Sequence, residues 1–159
     1  MATIAYLTIV GARQGPIKGD VTAAGRVGTI AATALSSEIN VPFDQASGAV
    51  TGRRQHHPMT ITKLVDQATP KLYSALTTNE TLTDVTIAFW RSASAGTADK
   101  QYFTIKLTNA HIVGIRLMGP EAGEPAVEEI TELQLTYQKI TWTWVDGGIT
   151  AQDDWVQTS

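Results

Sequence analysis

Alternating apolar and polar positions run through most of the chain, and this period of two predicts a mainly β protein. Residues 4–10, residues 59–65 and the chain from Leu82 onward follow the alternation. Residues 29–41 are rich in alanine, but their side chains also alternate and a glycine and a proline bound the run. We therefore expect a strand there as well.

The segment 127–145 is the longest β run, and its alternation changes phase part-way along. Its apolar residues take odd positions first and even positions later: Leu133, Leu135 and Tyr137, then Ile140, Trp142 and Trp144. A shift of one residue would turn every later side chain to the opposite face of a sheet. We expect a bulge or bend near Gln138 and Lys139, which would let one strand serve both halves of a curled sheet.

One helix is predicted, directly after the strand at 59–65. Thr69 is a suitable N-cap, and Pro70 suits the first helical position. The apolar residues that follow at helical spacing are Leu72, Tyr73 and Leu76. This stripe would lie on the sheet, and the helix should end near residues 77–79.

The remaining segments indicate turns and loops within one domain. Residues 11–28 are too rich in glycine for a regular element, residues 92–99 and 119–125 are breaks, and residues 146–148 form a turn. Residues 42–58 form a long polar loop, which is uncommon in a compact domain unless the loop binds something or is disordered. Trp155 should fold the tail back onto the barrel.

These patterns predict a small closed β-barrel of two packed antiparallel sheets with one flanking α-helix. Other strand faces agree with it: Val85, Ile87 and Phe89 share one, and Phe103, Ile105 and Leu107 share another, on one bent strand or two short ones at 101–118. A chain of 159 residues suits a single domain spanning residues 1–159, with no internal repeat or linker.

Composition narrows the function classes. Without cysteine there can be no disulfide or zinc-thiolate site. The N-terminus lacks the pattern of a cleavable signal peptide, and no segment approaches the roughly 20 apolar residues that span a bilayer. Residues 1–79 carry a net charge of +3 and residues 80–159 a net charge of −6. These charges are either scattered solvated residues or complementary faces of a head-to-tail assembly.

No group of residues predicts a catalytic, cofactor or metal site. His56 and His57 are adjacent and would point to opposite sides, so they could not easily share a metal ion with His111, and solvated loop histidines are the expected state. A solvated acidic surface is also expected for the glutamates, which are Glu121, Glu124, Glu128, Glu129 and Glu132. No serine stands in a Gly-x-Ser-x-Gly motif.

The basic run in the loop is better suited to a protein contact than to nucleic acid. One short basic segment on an acidic protein supplies few of the phosphate contacts that nucleic-acid affinity requires. We expect the loop to project and to contact an adjacent protomer through the run Arg53, Arg54, Gln55, His56 and His57.

Several motifs resemble the haemolysin-coregulated protein (Hcp) family, the tube subunits of the bacterial type VI secretion system. The matching residues are Gln45-x-Ser47-Gly48-x-x-Thr51-Gly52-x-Arg54-x-His56-x-Pro58, then Ile61-Thr62-Lys63, Asp66, Ala68-Thr69-Pro70, Leu72, Ala75-Leu76-Thr77, Val85-x-Ile87, Trp90-Arg91, Thr136-Tyr137-x-Lys139-Ile140-Thr141-Trp142 and Asp153-Asp154-Trp155. The resemblance covers essentially the whole chain, although residues 11–28 match only loosely.

The resemblance implies a non-enzymatic barrel that forms hexameric rings, which stack into a hollow tube. The implied partners are further copies of the chain, the spike protein, the contractile sheath and effector proteins in the lumen, with no nucleic acid, cofactor or membrane insertion. The protein would reside in the bacterial cytoplasm and then be secreted without a cleaved signal peptide. The chain ends shortly after the last motif, so we expect no fused toxin domain. The competing classes are a small-ligand or carbohydrate-binding β-barrel and an enzyme.

Overall fold

The computed structural model describes residues 3–92, 98–122 and 128–156, and most of these residues lie in strands. The elements in chain order are β1 (Ala5–Gly11), β2 (Gly15–Ile17), β3 (Ile30–Ser36), β4 (Ile39–Asn40), β5 (Gln55–His56), β6 (Met59–Leu64), α1 (Thr69–Thr77), β7 (Leu82–Ser92), β8 (Asp99–Met118), β9 (Ile130–Trp144) and β10 (Ile149–Asp154). The predicted turn at 92–99 and break at 119–125, with Glu124, lie partly outside the described residues, as does the start of the run at 127–145.

Six of these strands close into a barrel, which confirms the predicted fold class. Their order is β9, β6, β3, β1, β7 and β8, and β8 pairs with β9 to complete the circle. All of these pairings are antiparallel. β9 also carries β10 along the second half of its length, whereas its first half pairs with β6. One long strand therefore does serve two parts of the curled sheet.

The interior of the barrel is filled by the apolar side chains that the alternation assigns to one face. Its largest fully buried apolar residues are Leu7, Ile9, Ile30, Met59, Ile61, Leu82, Ile87, Leu107, Leu133 and Leu135. Burial of apolar surface is the main favourable contribution to folding, so these positions fix the register of the strands.

The change of phase in β9 is present, and β8 makes the same change beside it. Tyr137 and Ile140 are both buried although they stand three positions apart. Their partners Ala110 and Leu107 are buried too, and the pairing keeps its register between them. The two strands therefore turn their apolar faces together, and each contributes to the core on both sides of the change.

Of the bulge or bend predicted near Gln138 and Lys139, the bulge is absent, because the register is kept there and the irregular backbone lies opposite, in β8. Asn109 has a φ of 49°, in the left-handed region that asparagine adopts more readily than most residues. Its side-chain amide donates a hydrogen bond to Gln138 across the pair, with 2.7 Å between nitrogen and oxygen. A register shift follows between Ile112 and Gly114.

The helix α1 confirms the predicted element but corrects its start and its packed face. Ala68 is the N-cap residue and makes no side-chain capping bond, and Thr69 is already helical. Asp66 accepts the amide proton of Ala68 instead, at 3.0 Å. The buried stripe of the helix is Thr69, Leu72 and Ala75, whereas Leu76 is only partly buried. Residues three apart share a helix face, and this face packs beside β8.

Two further segments differ from their predictions. The glycine-rich stretch 11–28 contains a short strand, β2, that pairs with β1. Gly19 is required there because a Cβ atom would lie 2.6 Å from the carbonyl oxygen of Thr29. The predicted strand at 29–41 is divided: β3 ends at Ser36, and β4 leaves the barrel to pair with β5.

Candidate subunit-contact loop and its anchor

The loop at 42–58 is an ordered hairpin that continues the two-stranded sheet of β4 and β5. Ile39 pairs with His56, and Phe43 forms an isolated antiparallel bridge with Val50. Asp44 closes the tip: its carboxylate accepts hydrogen bonds from the Ala46 amide and the Ser47 hydroxyl, and its carbonyl accepts one from Gly48. The hydrogen bond from Ser47, with that from the Ala46 amide, holds the pKa of Asp44 below its usual range.

Exposed apolar side chains flank the tip of this hairpin, which the description of the loop as polar missed. Phe43 is 59% exposed and Val50 is 69% exposed, side by side at the bridge, and Val41 is also exposed. Apolar side chains that cluster on an exposed surface commonly mark an interaction site. The alternation of Val41 and Phe43 just after β4 was the signal available in the sequence.

Arg54 and His56 turn inward and bind the end of β10. Arg54 Nε forms an ion pair with Asp153 Oδ2, and the same oxygen lies 2.7 Å from His56 Nε2. His56 Nδ1 lies 2.8 Å from the Tyr137 hydroxyl. The side chain of His56 has no exposed surface. The expectation of a solvated loop histidine is therefore wrong for His56, and Arg54 has an acidic partner within its own chain.

Trp155 covers this group, which confirms that the tail folds back onto the barrel. Its ring stacks on the His56 imidazole with centroids 5.5 Å apart, and it meets the Tyr137 ring edge-on at 4.9 Å. Both contacts lie in the range of favourable aromatic pairs. We call Arg54, His56, Tyr137, Asp153 and Trp155 the Asp153 cluster.

Charge and burial fix the protonation pattern of the cluster. The hydrogen bond from Arg54, with a further one from His56, holds the pKa of Asp153 below its usual range. Burial, with the nearby Asp153 charge, raises the pKa of Tyr137 to about 12. The ionised carboxylate can only accept, so Nε2 of His56 donates to it.

The other residues of the basic run point away from the cluster. Arg53 and Gln55 are exposed, and His57 is half-buried, with its Nε2 3.2 Å from the Asn40 side-chain oxygen. This is the alternation expected of a strand, in which successive side chains face opposite sides. The five predicted contact residues thus divide into an inner pair, Arg54 and His56, and an outer set of three.

The other candidate residues do not assemble into a common site. His111 lies 3.1 Å from the Thr81 hydroxyl, and Glu121, Glu128 and Glu129 are exposed. Among the residues that the structure describes, no three histidine, aspartate or glutamate side chains could hold a metal ion together. Within the same residues, no helix is long and apolar enough to cross a membrane.

A surface groove of about 570 Å³ runs beside β8, β9 and the tail, with Tyr137, Trp155 and Asn109 in its lining. Its size falls in the range of small-molecule pockets, roughly 300–1,000 Å³. However, the Tyr137 hydroxyl is bonded to His56, and the Asn109 amide donates to Gln138. Several polar groups of the lining are therefore already bonded within the chain.

The comparisons with known proteins identify the family. A family model described as "Type VI secretion system effector, Hcp" matches residues 6–144. The chain belongs to the Hcp family. It is therefore a type VI secretion protein, of a family whose members are structural and secreted proteins.

Relatives within the Hcp family match this chain from end to end. The "Major exported protein" of Pseudomonas aeruginosa is 37% identical, over 98% of this chain and 96% of that protein. The structure of an Hcp1 variant from Escherichia coli superposes with a TM-score of 0.86 at 31% identity, covering 98% of this chain and all of the other. The secreted protein Hcp3 of Pseudomonas aeruginosa gives a TM-score of 0.80 at 31% identity, with the same coverage.

Proposed function

We propose that this Hcp-family chain is a structural subunit of the type VI secretion tube. Copies form hexameric rings, the rings stack into a hollow tube, and the tube carries effector proteins. The observation that carries this proposal is the ordered hairpin that exposes Phe43 and Val50 at its tip. In a barrel whose interior is already filled, these exposed apolar side chains gain free energy only by contact with another molecule.

The contact surface of the hairpin is narrower than the basic run in the sequence suggests. It comprises the tip and the outer set Arg53, Gln55 and His57, because Arg54 and His56 are held against Asp153. Arg53 makes no ion pair within the described part of the chain. A charge on a neighbouring subunit can therefore pair with it, although an exposed pair of this kind contributes only about 0–1 kcal/mol.

The distribution of charge supports a head-to-tail contact. The hairpin belongs to the half of the chain that carries a net +3, and the half from residue 80 onward carries a net −6. A contact between two different surfaces of the same protein closes into a ring when the rotation between subunits permits. Within the ring or between rings, the hairpin of one subunit meets the acidic half of the next.

The same proposal includes the partners and the location that the family implies. The spike protein, the contractile sheath and the effectors are the expected partners, and nucleic acid, a cofactor and membrane insertion play no part. The chain starts in the bacterial cytoplasm and is then exported. It has no catalytic role in this account.

A pair of serine substitutions tests the proposed contact. Phe43→Ser should leave the free energy of unfolding within about 0.5 kcal/mol, because the side chain is mostly exposed, and should weaken ring or tube formation by at least about tenfold. Val27→Ser is the matched control, since Val27 is 74% exposed in the glycine-rich segment. Sedimentation and negative-stain imaging measure assembly. Unchanged assembly of the Phe43 variant would contradict the proposal.

A charge reversal tests the outer set separately. Reversing Arg53 together with Arg54 would mix two effects, because Arg54 also binds Asp153. Arg53→Glu alone should reduce assembly, and Lys18→Glu makes the same charge change at an exposed lysine elsewhere in the chain. Equal effects of the two reversals would mean that only net charge matters, and that Arg53 makes no specific contact.

A further inference from the structure

The Asp153 cluster joins three segments that lie far apart in the sequence. Arg54 and His56 belong to the hairpin, Tyr137 to β9, and Asp153 and Trp155 to the end of the chain. A single carboxylate oxygen of Asp153 accepts hydrogen bonds from both Arg54 Nε and His56 Nε2. The Asp153 cluster is thus a point at which the C-terminal segment, the barrel and the hairpin meet.

The cluster is also where side-chain hydrogen bonds fasten the hairpin to the barrel. The backbone bonds of the hairpin join its own two arms, as between Ile39 and His56 and between Phe43 and Val50. In the described part of the chain, the side-chain hydrogen bonds from the hairpin to other segments start at Arg54 or His56 and reach Tyr137, Asp153 or the carbonyl of Asp154. Besides these bonds, Ile39 at the base of the hairpin packs against the barrel core.

We infer that Asp153 and Trp155 are positioning residues for assembly: they hold the hairpin at the angle from which its tip reaches the neighbouring subunit. This inference rests on the proposed function. It adds that the C-terminal segment, which is not part of the hairpin, determines whether the hairpin tip can reach the neighbouring subunit. Loss of the Asp153 carboxylate then reduces assembly because the hairpin can adopt more orientations, although the residues that make the contact are unchanged.

For the pair of Arg54 and Asp153, the geometry favours positioning over a general contribution to stability, whereas buried His56 also loses a partner when Asp153 is removed. The Asp153 side chain is 26% exposed and that of Arg54 is 27% exposed, so both can be hydrated when their partner is removed. Exposed and partly exposed ion pairs contribute little to the free energy of unfolding. Two groups that hold a hairpin in one orientation do reduce the number of conformations it must lose on binding.

The chain offers its own controls, because each charged member of the cluster has a like neighbour outside it. Asp153→Ala removes the shared carboxylate, whereas Asp154→Ala removes an exposed carboxylate and keeps the carbonyl that faces Arg54. Arg54→Gln and Arg53→Gln form the second pair. If the Asp153 variant does not fold, the arginine pair decides the question, because it leaves the contact between His56 and Asp153 in place.

Two measurements on each variant distinguish the outcomes. Hydrogen exchange of the amides at 55–57 is followed in subunits diluted until they are monomeric, and ring formation is followed by sedimentation. Asp153→Ala should speed that exchange by about tenfold and reduce ring formation by at least as much, with Asp154→Ala close to the unmodified chain. The same contrast is expected between Arg54→Gln and Arg53→Gln.

Faster exchange with intact rings would overturn the inference, since the freed hairpin would still assemble. Unchanged exchange in the Asp153 and Arg54 variants would overturn it as well, because the cluster would then not hold the hairpin. A failure of the proposed function looks different: the unmodified chain itself would form no rings, whatever the exchange data show.

Discussion

The buried lysine at the end of β6 yields the sharpest prediction about stability. The Lys63 side chain has no exposed surface, and its three ammonium donors are all used. They contact the Leu64 carbonyl at 2.8 Å, Asp66 Oδ1 at 2.8 Å and the Thr69 hydroxyl at 3.1 Å. Asp66 supplies the counter-charge and also accepts the Ala68 amide at the start of α1.

Asp66→Ala should therefore be among the most destabilising single substitutions in the chain. Removing one partner of a buried pair leaves an uncompensated charge and costs about 3–5 kcal/mol. Adding Lys63→Met removes that charge and replaces it with an apolar side chain of similar length. The double variant should recover about 2 kcal/mol or more relative to Asp66→Ala, because swapping a whole buried pair for apolar groups is often close to neutral.

Urea unfolding followed by circular dichroism measures both effects, at one fixed protein concentration because assembly also stabilises the folded chain. Lys63→Met alone completes the double-mutant cycle. Its loss of unfolding free energy should be smaller than that of Asp66→Ala, because the Asp66 side chain is 12% exposed and water can reach it. A loss of less than about 1 kcal/mol for Asp66→Ala would refute the reasoning. So would a double variant as unstable as Asp66→Ala.

Three further predictions follow from burial and protonation. Leu72→Ala should cost about 2–5 kcal/mol in urea unfolding, and Leu76→Ala clearly less, because only Leu72 is fully buried. Hydrogen bonds from the backbone amides of Gln14 and its neighbour lower the pKa of Glu80. The contribution of Glu80 to the free energy of unfolding is therefore complete at neutral pH and is lost as the pH falls through that lowered pKa. Acid unfolding of Glu80→Gln should lack this loss. The tyrosinate absorbance that Tyr137→Phe removes should appear only near pH 12, and an appearance near pH 10 would contradict the burial of that hydroxyl.

Much of the barrel is predictable because local alternation and burial agree. Residue spacing predicts the strands at 4–10 and 59–65 and the change of phase between Tyr137 and Ile140. Spacing together with Pro70 predicts the helix at 69–77. The position of the irregular backbone is not predictable in this way, since it depends on how β8 pairs with β9. Asn109 stands between the two buried positions of β8, Leu107 and Ala110, and adopts a left-handed backbone.

The anchor of the hairpin is not readable from spacing, because its partners are about a hundred residues apart. Arg54 and His56 are polar residues in a polar loop, so they are expected in solvent unless a partner is known. Asp153 supplies that partner only after β10 has paired with β9. The predicted start of α1 was wrong for a related reason. Asp66 and Thr69 are both suitable N-cap residues, and both bind the buried ammonium group of Lys63, which local spacing does not show.

The mass and shape of the purified protein in solution test the central claim most directly. Light scattering after size-exclusion chromatography, with negative-stain images of the same peak, reports both. A ring subunit should elute as a uniform species near six times the 17.1 kDa subunit mass and show closed rings of six. A strict monomer at micromolar concentration, with no rings in the images, would contradict the account.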